Sequence, residues 1–435
     1  MAKITPISGF PEWLPEQKIL EDKIVNTIRA IYEAHGYTPI ETRSVEHMSI
    51  LASKGDINKE IYVIQRAHAD QLEVSEETLA LHFDLTIPFA RYVAQNFNEL
   101  SFPFKRYQLQ RSWRGERPQE GRFREFYQFD IDVVTPEELP LCHDAEMISI
   151  IAKSFQKLGL GKFQIKTNNR KLLLGMYEHF GLNLEQRQAA VIIIDKIDKI
   201  GPAAVKAELG KEGISANIAD EIIKISGLKL KPSEFEKTAA GLGPKNESFM
   251  AGLREIKEVL SLVTESALPN VVVDLSLARG LDYYTGTIIE TILTDYPSFG
   301  SVAGGGRYEN LTERFGSKNI PGVGISIGIT RLMSLVISKG LLQADQYCPT
   351  KILVALNSAE DLKRSLSLAE ELRASGLNTE VFHKPLKFGK QIEYADKKGI
   401  RFVLFLNDAG TLELKDIKTK EQQPITVAEL VIKLS

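Results

Sequence analysis

The apolar and polar positions in the first third of the chain predict a helix and then a hairpin. Apolar side chains recur at helical spacing over residues 16–35, and an extended stretch follows at 37–46. Residues 104–114 and 122–134 alternate with a period of two, and the connector 115–121 lies between them. Two alternating segments joined by a polar connector indicate an antiparallel hairpin with a long tip.

The middle of the chain follows other patterns. Residues 170–262 indicate short helices broken at glycine and proline, without a cluster of residues that carries chemistry. Strand patterns resume at 271–275 and 287–293. A glycine run at 304–308 and a glycine-spaced strand leading into a helix at 322–335 follow.

The last part of the chain predicts a separate domain. Strand patterns at 351–356, 379–382 and 401–406 alternate with two helical stretches, an order typical of a small α/β domain with a parallel sheet. Pro349 and the polar run before it mark a boundary. The predicted domains are therefore 1–169 with 263–335, a mostly helical insertion at 170–262, and 350–435.

The second hairpin strand separates into two faces. The odd positions from Phe123 to Val133 are apolar or aromatic, with Glu125 as the exception. The even positions are Arg122, Arg124, Phe126, Gln128, Asp130 and Asp132. On the first strand, one side carries Arg106, Gln108, Gln110, Ser112 and Arg114.

This polar face has two interpretations. A sheet with one solvated face accounts for it without any ligand. Alternatively, arginine beside a flat aromatic ring suits a purine base and its phosphates, while the amides and carboxylates read a small polar ligand. The face pattern alone leaves both interpretations open.

Composition limits the class of protein. Hydrophobic residues are 43% and charged residues 26% of the 435 residues, as in ordinary globular proteins. The net charge of −3 means that a nucleic-acid partner needs a local basic patch. Two cysteines, Cys142 and Cys348, favour a reducing compartment. We find neither the apolar core of a signal peptide nor an apolar run of about 18 residues, so we expect a cytoplasmic protein outside the membrane.

Several common motifs are missing from the sequence. The phosphate-loop motif does not occur, and the glycines at 322, 324 and 328 miss the dinucleotide-binding spacing by one residue. No H-x-x-x-H motif occurs, so we expect no protein-held metal. A bound nucleotide is therefore expected to be held by arginines on an antiparallel sheet.

Five segments, in order, resemble motifs of the class II aminoacyl-tRNA synthetases in their histidyl form. They are the extended stretch around Pro39 (first motif, the dimer interface), 104–134 (second motif), LARGLDYYTGTIIE at 277–290 (histidine-specific signature), 322–332 (third motif) and 390–406 (anticodon-binding domain). The resemblance spans nearly the whole chain and is weakest over 170–262.

The resemblance implies a fold and a reaction. The fold is an α+β catalytic domain on an antiparallel sheet, the class II synthetase fold, with a helical insertion and a C-terminal α/β anticodon-binding domain. The reaction activates L-histidine with ATP, which arrives with Mg²⁺, and transfers histidine to tRNA(His). The family implies a homodimer. An alternative is a non-catalytic, histidine-sensing paralogue that regulates histidine biosynthesis, although Arg279 and Arg331 are both retained.

The resemblance also assigns residues to roles. Those expected to bind histidine are Asp84, Leu85, Thr86, Arg114, Gln128, Asp132, Arg279, Tyr283 and Tyr284. Those expected to bind ATP are Arg114, Glu116, Arg122, Phe126 and Arg331, with Phe126 and Arg331 on either side of the adenine. Arg117 and Gln119 are expected near the tRNA, and Arg279 and Arg114 are the expected catalytic residues.

Some of these residues have plainer interpretations. Asp84 and Thr86 would hold the ammonium group of histidine, but the same tripeptide is typical of a helix or turn cap. Asp132 would accept a hydrogen bond from the imidazole, where many family members have the longer glutamate. Because histidine offers two ring nitrogens to hydrogen-bond, we expect no editing domain and interpret the insertion as a tRNA contact. The basic and aromatic stretch 382–390 suits anticodon bases or a solvated loop.

Overall fold

A computed structural model describes most of the chain. The described residues are 4–52, 60–67, 74–242, 244–278, 284–309, 312, 315, 319–343, 347–407 and 410–434. The chain divides into one compact unit of residues 1–11 and 24–342 and a second of residues 12–23 and 343–435. The two expected residues Arg279 and Tyr283 lie outside the described residues.

The part of the chain before residue 343 contains both helices and strands. Its helices are α1 (Pro15–Ala34), α2 (Met48–Leu51), α3 (Thr86–Gln95), α4 (Cys142–Leu158), α5 (Arg170–His179), α6 (Leu184–Ile194), α7 (Ile197–Lys211), α8 (Ala216–Ser226), α9 (Pro232–Ala240), α10 (Glu247–Leu262) and α11 (Ile329–Lys339). Its strands are β1 (Thr38–Pro39), β2 (Val45–His47), β3 (Leu79–Leu81), β4 (Phe104–Trp113), β5 (Glu125–Val134), β6 (Phe163–Asn169), β7 (Lys229–Leu230), β8 (Val271–Asp274), β9 (Tyr284–Leu293), β10 (Ser301–Tyr308) and β11 (Gly322–Gly328).

A large mixed sheet organises this unit. Its strand order is β1-β4-β5-β11-β10-β9-β6-β8-β7. The pairs from β4 through β5, β11, β10 and β9 to β6 are all antiparallel, whereas β1 pairs with β4 and β6 pairs with β8 in parallel. The predicted hairpin is β4–β5, and three strands from much later in the chain extend the sheet beside β5.

The two faces of the hairpin are covered by different kinds of contact. The odd face of β5 is buried at Phe129, Ile131 and Val133, and the ring of Tyr32 from α1 lies 4.9 Å from that of Phe129. The polar face is not solvated, so that interpretation was wrong. Its buried amide Gln108 donates to Gln110 (2.6 Å) and to Thr42 in the preceding extended stretch (2.9 Å).

Arg106, Gln108 and Gln110 on the polar face of β4 therefore belong to an internal hydrogen-bond network. Arg106, Gln108, Gln110 and Ser112 are each exposed by 7% or less. The ligand-facing surface begins one strand later, on β5.

The segment 170–262 contains helices α5 to α10 and also strand β7, which pairs with β8 in the large sheet. Glycine allows the backbones of α5 and α10 to touch, because a Cβ on Gly252 would lie 2.4 Å from the Leu172 nitrogen. Helix α7 bends at Gly201, whose φ is +78°, just before Pro202. The expected break at glycine and proline is thus a kink within one helical segment.

The second unit contains a smaller sheet with helices. Its elements are β12 (Ile352–Val354), α12 (Leu362–Ala374), β13 (Thr379–Val381), α13 (Phe388–Lys398), β14 (Phe402–Leu406), β15 (Leu412–Asp416), β16 (Gln422–Ile425) and α14 (Val427–Leu434). Strand β12 pairs in parallel with β13 and β14, as the sequence predicts, and β15 and β16 add an antiparallel extension that it did not indicate.

Both faces of this smaller sheet are covered. Ile352 and Val354 belong to one buried cluster, and Leu353 and Ala355 belong to the other. Phe382 lies in the second cluster with 3% exposure, so its ring packs inside and is not available to stack on a base. Phe388, with 40% exposure, remains a candidate.

Candidate active site

A cavity of about 1290 Å³ lies on the polar face of the large sheet. The expected residues that line it are Asp84, Thr86, Arg114, Glu116, Gln119, Arg122, Gln128, Asp132, Tyr284 and Arg331. Residues of β5, β9, β10 and β11 form its floor, and the connector between β4 and β5 contributes one wall. The structure therefore brings together residues that are separated by as much as 247 positions in the sequence, from Asp84 to Arg331.

Glycines keep the floor of the cavity flat. Gly304, Gly305 and Gly324 line it without side chains. A Cβ on Gly324 would lie 1.9 Å from Oδ1 of Asp132, and one on Gly305 would lie 1.9 Å from the carbonyl oxygen of Gly324. The glycine run therefore provides both the close approach of β10 to β11 and room above the sheet for a planar ligand.

One end of the cavity, which we call the acceptor end, is defined by Asp84, Gln128, Asp130 and Asp132. These side chains are all at least 90% buried. Oδ2 of Asp132 lies 2.6 Å from Nη2 of the buried Arg106, and its Oδ1 accepts a hydrogen bond of 2.7 Å from the Tyr308 hydroxyl.

Burial shifts the ionisation of these carboxyls, because a charge is costly away from water. Burial raises the pKa of Asp130 to about 7, against the lowering effect of Arg106. Burial likewise raises the pKa of Asp132 to about 6, again opposed by Arg106. Perturbed carboxyls in a cleft are typical of functional sites.

Two further groups at the acceptor end suit an ammonium ion. The Asp84 carboxylate accepts from the Ile87 backbone N–H at 3.1 Å, so the cap interpretation is correct as far as that oxygen is concerned. Gln128 donates to Ser326 at 2.9 Å, and its Oε1 is buried with no hydrogen-bond partner among the described residues. Asp84 and Gln128 thus supply acceptors into the cavity.

Leu85 does not share this position. Its side chain is fully buried and does not line the cavity, because α3 begins at Thr86 and the apolar side chain before it turns into the protein. The assignment of the Leu85 side chain to histidine is therefore not supported by its placement.

The other end of the cavity, the arginine end, is defined by Arg114, Arg122 and Arg331. Glu116 lies between two of them, 3.0 Å from Nη1 of Arg122 and 3.8 Å from Nη1 of Arg114. Burial, together with the charges of Arg122 and Arg114, lowers the pKa of Arg331 to about 10. The three guanidinium groups outnumber the two carboxylates that act on Arg331, Glu116 and Glu290, and this excess of positive charge favours a polyanion such as a phosphate chain.

Backbone contacts fix the arginine end in place. Arg331 donates through Nε to the Gly121 carbonyl at 2.7 Å and through Nη1 to the Ser301 carbonyl, so it joins the hairpin tip to β10. Arg114 donates through Nε to the Phe83 carbonyl at 3.0 Å and stands 5.1 Å from the Phe126 ring centroid. Arg331 is accordingly a partly buried residue of the cavity and not a surface arginine.

The remaining expected residues are placed less directly. Phe126 is half-buried and does not line the cavity, so its role beside adenine stays a prediction. Arg117 is exposed at the hairpin tip, whereas Gln119 lines the cavity. Tyr284 is 7% exposed and lines the cavity. Arg279 and Tyr283 cannot be placed relative to it, since they lie outside the described residues.

Several cavity residues were missed by reasoning from the sequence. They are Asp130, Lys166, Asp195, Asp198, Lys199, Glu290, Tyr308 and Ser326. Asp130 had a visible signal, because it alternates with Gln128 and Asp132 on one face. Asp198 and Lys199 had none: they belong to the helical insertion, and only the packing of α7 brings them to the sheet.

The described ranges contain neither a metal-binding cluster nor a membrane-spanning helix. Across those ranges, no group of three or more His, Cys, Asp or Glu side chains is arranged to hold a metal ion. No helix within them is both long enough and apolar enough to cross a bilayer.

Comparisons with known proteins agree with this geometry. The family model for histidyl-tRNA synthetase matches residues 9–332, and the model for an anticodon binding domain matches residues 351–435. The histidine–tRNA ligase of Thermobifida fusca is 46% identical over 96% of this chain and 96% of its own length. That of Cutibacterium acnes is 43% identical over 97% of this chain and 95% of its own.

A solved structure of this family has the same fold. The crystal structure of histidyl-tRNA synthetase from Nostoc sp. PCC 7120 superimposes with a TM-score of 0.88 at 38% identity, covering 100% of this chain and 99% of that one. The predicted class II synthetase fold is thereby confirmed. Because the family model covers most of the sequence and the relatives match over nearly its whole length, the chain belongs to the histidyl-tRNA synthetase family.

Proposed function

We propose that the cavity activates L-histidine with ATP and then transfers it to tRNA(His). In the first step the histidine carboxylate attacks the α-phosphorus of ATP, pyrophosphate leaves, and histidyl-adenylate forms. In the second step a hydroxyl of the terminal tRNA ribose attacks the carbonyl carbon, and AMP leaves. The chain is an ATP-dependent aminoacyl-tRNA ligase by family; the assignment of each step to particular residues is our proposal.

One observation carries this assignment: the acceptor end and the arginine end face the same cavity. Histidine brings an ammonium group and a ring with N–H donors, which need acceptors. ATP brings a phosphate chain, which needs cations. Arg114 connects the two sets, since its Nε donates to the carbonyl of Phe83, the residue before Asp84, and its Nη1 lies 3.8 Å from Glu116 at the arginine end. Binding both substrates side by side converts a bimolecular attack into an oriented one.

The acceptor end would orient the amino acid. Asp84 and Thr86 would bind the ammonium group together with Oε1 of Gln128, while Asp132 and Tyr284 would bound the ring. A charge-assisted bond from an ammonium to a buried carboxylate is stronger than one between neutral groups. Burial raises the pKa of Asp84, and a cationic substrate would offset that penalty.

The arginine end would stabilise the phosphates and the transition state. Arg114 would contact the α-phosphate, with Arg122, Glu116 and Arg331 around the rest of the nucleotide, which enters as its Mg²⁺ complex. Arg279, by resemblance, would stabilise charge that develops on the α-phosphate. Removing one such preorganised donor typically costs about 3–4 kcal/mol of transition-state stabilisation.

The remaining parts of the chain would hold the tRNA. We assign residues 1–169 and 263–335 to catalysis, 170–262 to contact with the tRNA, and 350–435 to the anticodon. The exposed side chains of Lys384, Lys387, Phe388 and Lys390 suit single-stranded bases and phosphates. Assembly as a homodimer and a cytoplasmic location belong to the same proposal.

Exchange of labelled pyrophosphate into ATP tests the proposal. Purified protein with Mg²⁺ should catalyse exchange that depends on histidine and on no other amino acid. Arg279→Ala should reduce exchange by roughly 100-fold or more while the protein stays folded. Arg254→Ala, on the exposed surface of α10, is the matched control. Absence of histidine-dependent exchange by the wild-type chain contradicts the function, and near wild-type exchange by Arg279→Ala contradicts that residue's role.

The non-catalytic paralogue is not favoured. Relatives matched over nearly their full length carry the name histidine–tRNA ligase. A test of the second step separates the tRNA contacts: Arg117→Ala should slow aminoacylation of tRNA(His) and leave pyrophosphate exchange within about twofold of wild type, because Arg117 does not line the cavity.

A further inference from the structure

Asp130 occupies a position on the cavity floor that no role above explains. It lies between Gln128 and Asp132 on the ligand-facing side of β5, opposite Gln108 on one neighbouring strand and Ser326 on the other. The residue is 3% exposed and lines the cavity. Its Oδ1 is buried and has no hydrogen-bond partner in the part of the chain that the structure describes.

Asp132 differs from Asp130 in that both of its carboxyl oxygens have partners. Its Oδ1 is held by the Tyr308 hydroxyl at 2.7 Å, and its Oδ2 is held by Arg106 at 2.6 Å. Both oxygens of Asp132 are therefore engaged before any ligand arrives, whereas Asp130 keeps one oxygen without a donor. Asp130 has more unused acceptor capacity than the residue that the family resemblance names.

A purely structural role for Asp130 does not account for these contacts. Among the described residues, Asp130 has no ion pair within 4.0 Å, and Arg106 is already paired with Asp132. The hydroxyl of Ser326 lowers the pKa of Asp130 by hydrogen bonding, but burial raises it more. A buried carboxyl with an unfilled acceptor is destabilising in itself, and such groups are retained mainly where a ligand completes them.

We propose that Asp130 is a second ring-reading residue for histidine, so that the two imidazole nitrogens are divided between Asp130 and Asp132. This inference rests on the proposed function and adds a specificity-determining residue to it. Residues two apart on a strand share one face at a separation of roughly 6.6–6.8 Å. An imidazole ring donating an N–H toward each side spans such a gap at ordinary hydrogen-bond lengths.

A ring that donates on both sides is bound as imidazolium. The charged and titratable groups around Asp130 are Arg106 on β4, Asp132 on β5, Asp84 before α3 and Tyr32 on α1, and the hydroxyl of Ser326 on β11 also contacts it. When ionised, these three carboxyls outnumber the two guanidinium groups that act on them, Arg106 and the Arg114 beside Asp84, and leave an excess of negative charge in a buried place. That excess favours a cationic ring over a neutral one of the same shape.

Steady-state exchange kinetics test Asp130 directly. Asp130→Asn should raise KM for histidine at least tenfold and leave KM for ATP within about twofold, because Asp130 belongs to the acceptor end of the cavity and not to the arginine end. The ring of the analogue 1,2,4-triazol-3-ylalanine is a much weaker base than imidazole. The wild type should therefore have a higher KM for this analogue than for histidine, and the difference should be smaller in the variant. Asp220→Asn, on the exposed surface of α8, is the matched control for loss of one carboxylate.

Three results would overturn the inference while leaving the proposed function intact. They are an unchanged KM for histidine in a folded Asp130→Asn, an equal rise in both KM values, and an unchanged preference between histidine and the triazole. Absence of exchange in the wild type would instead remove the function itself.

A measurement on the wild-type protein covers the case in which the variant does not fold. Calorimetric titration with histidine at pH 8, repeated in buffers of different ionisation enthalpy, should show net proton uptake on binding. The free ring is mostly neutral at that pH, since its ordinary pKa is about 6.5. Zero uptake would contradict binding as imidazolium between two carboxylates.

Discussion

Arg106 and Asp132 form a buried ion pair across the hairpin. They are direct register partners on β4 and β5, and Nη2 of Arg106 lies 2.6 Å from Oδ2 of Asp132. Arg106 is fully buried, and its guanidinium lies 4.3 Å from the Phe89 ring centroid. The pair joins the internal network of the first strand to the cavity floor of the second, so the stability of the sheet and the position of the ligand-facing carboxylate depend on one contact.

Removing the cation of this pair should destabilise the fold. Arg106→Met leaves Asp130 and Asp132 buried without a counter-charge, which typically costs about 3–5 kcal/mol of unfolding free energy. The pKa values of the two carboxyls, about 7 and about 6 with Arg106 present, would rise further. The loss should therefore be largest above pH 7 and smaller at pH 5, where both carboxyls are protonated.

Urea unfolding at the two pH values measures this effect. Arg111→Met on the same strand is the matched control, since its side chain is 49% exposed and 3.5 Å from Glu125. The control should lose less than about 1 kcal/mol. Equal losses for the two variants would show that burial of the pair is unimportant.

Asp130→Asn should stabilise the protein in a pH-dependent way. The ordinary pKa of 3.8 is raised to about 7 in the fold, so the folded state resists ionisation that the unfolded chain accepts. Stability of the wild type is consequently lost as pH rises from 3.8 to about 7 and is not regained above it. The variant lacks this loss.

Thermal melting from pH 4.5 to 8 gives the test. The melting temperature of Asp130→Asn should exceed that of the wild type by an amount that grows up to about pH 7 and then levels off. A difference that shrinks with rising pH would mean that Asp130 is stabilised as a carboxylate by partners in the fold.

Gly324→Ala should damage histidine binding by displacing Asp132. The added Cβ would lie 1.9 Å from Oδ1 of that residue, inside the strand-packed floor. We expect a rise of at least tenfold in KM for histidine and a loss of about 1–3 kcal/mol in stability. Gly210→Ala in α7, where a Cβ meets nothing within 4 Å, should be neutral or stabilising by up to about 1 kcal/mol. Normal histidine kinetics in Gly324→Ala would show that Asp132 can relocate freely.

Arg331→Ala should weaken nucleotide binding selectively. The guanidinium is held by the carbonyls of Gly121 and Ser301 and lies at the arginine end. Loss of a charged hydrogen-bonding group of about 1.5–3 kcal/mol corresponds to a rise of roughly 10- to 150-fold in KM for ATP. KM for histidine should stay within about threefold, and a larger change there than for ATP would place Arg331 in the wrong subsite.

Lys166→Met should destabilise the unit that contains the large sheet. Lys166 lies 3.1 Å from the fully buried Asp274 and 3.5 Å from Asp198 of α7, so it neutralises one carboxylate and bridges to another. We expect a loss of roughly 3 kcal/mol in denaturant unfolding, because Asp274 loses its nearer cation. Lys229→Met is the control, since that half-exposed lysine lies 3.8 Å from Asp274. Its loss should lower the free energy of unfolding by less than about 1 kcal/mol.

The sequence alone determined several of the elements and much of the acceptor end. Alternation along β5 identified Gln128, Asp130 and Asp132 as one face, because side chains on a strand point to opposite sides with a period of two. Helical spacing gave α1, and the strand–helix order gave the parallel core of the C-terminal unit. These features are local, so the pattern of one segment suffices to predict them.

Tertiary structure decided everything that depends on which segments meet. The polar face of β4 looks solvated in the sequence, yet Thr42 and α3 cover it, and Phe382 looks like a stacking residue but packs inside. Tyr308, Ser326 and Lys199 reach the cavity only through sheet order and helix packing. Such contacts join positions that are far apart in the chain. Whether one face of a strand is buried depends on which distant helix or strand packs against it, and the local periodicity of the strand carries no information about that partner.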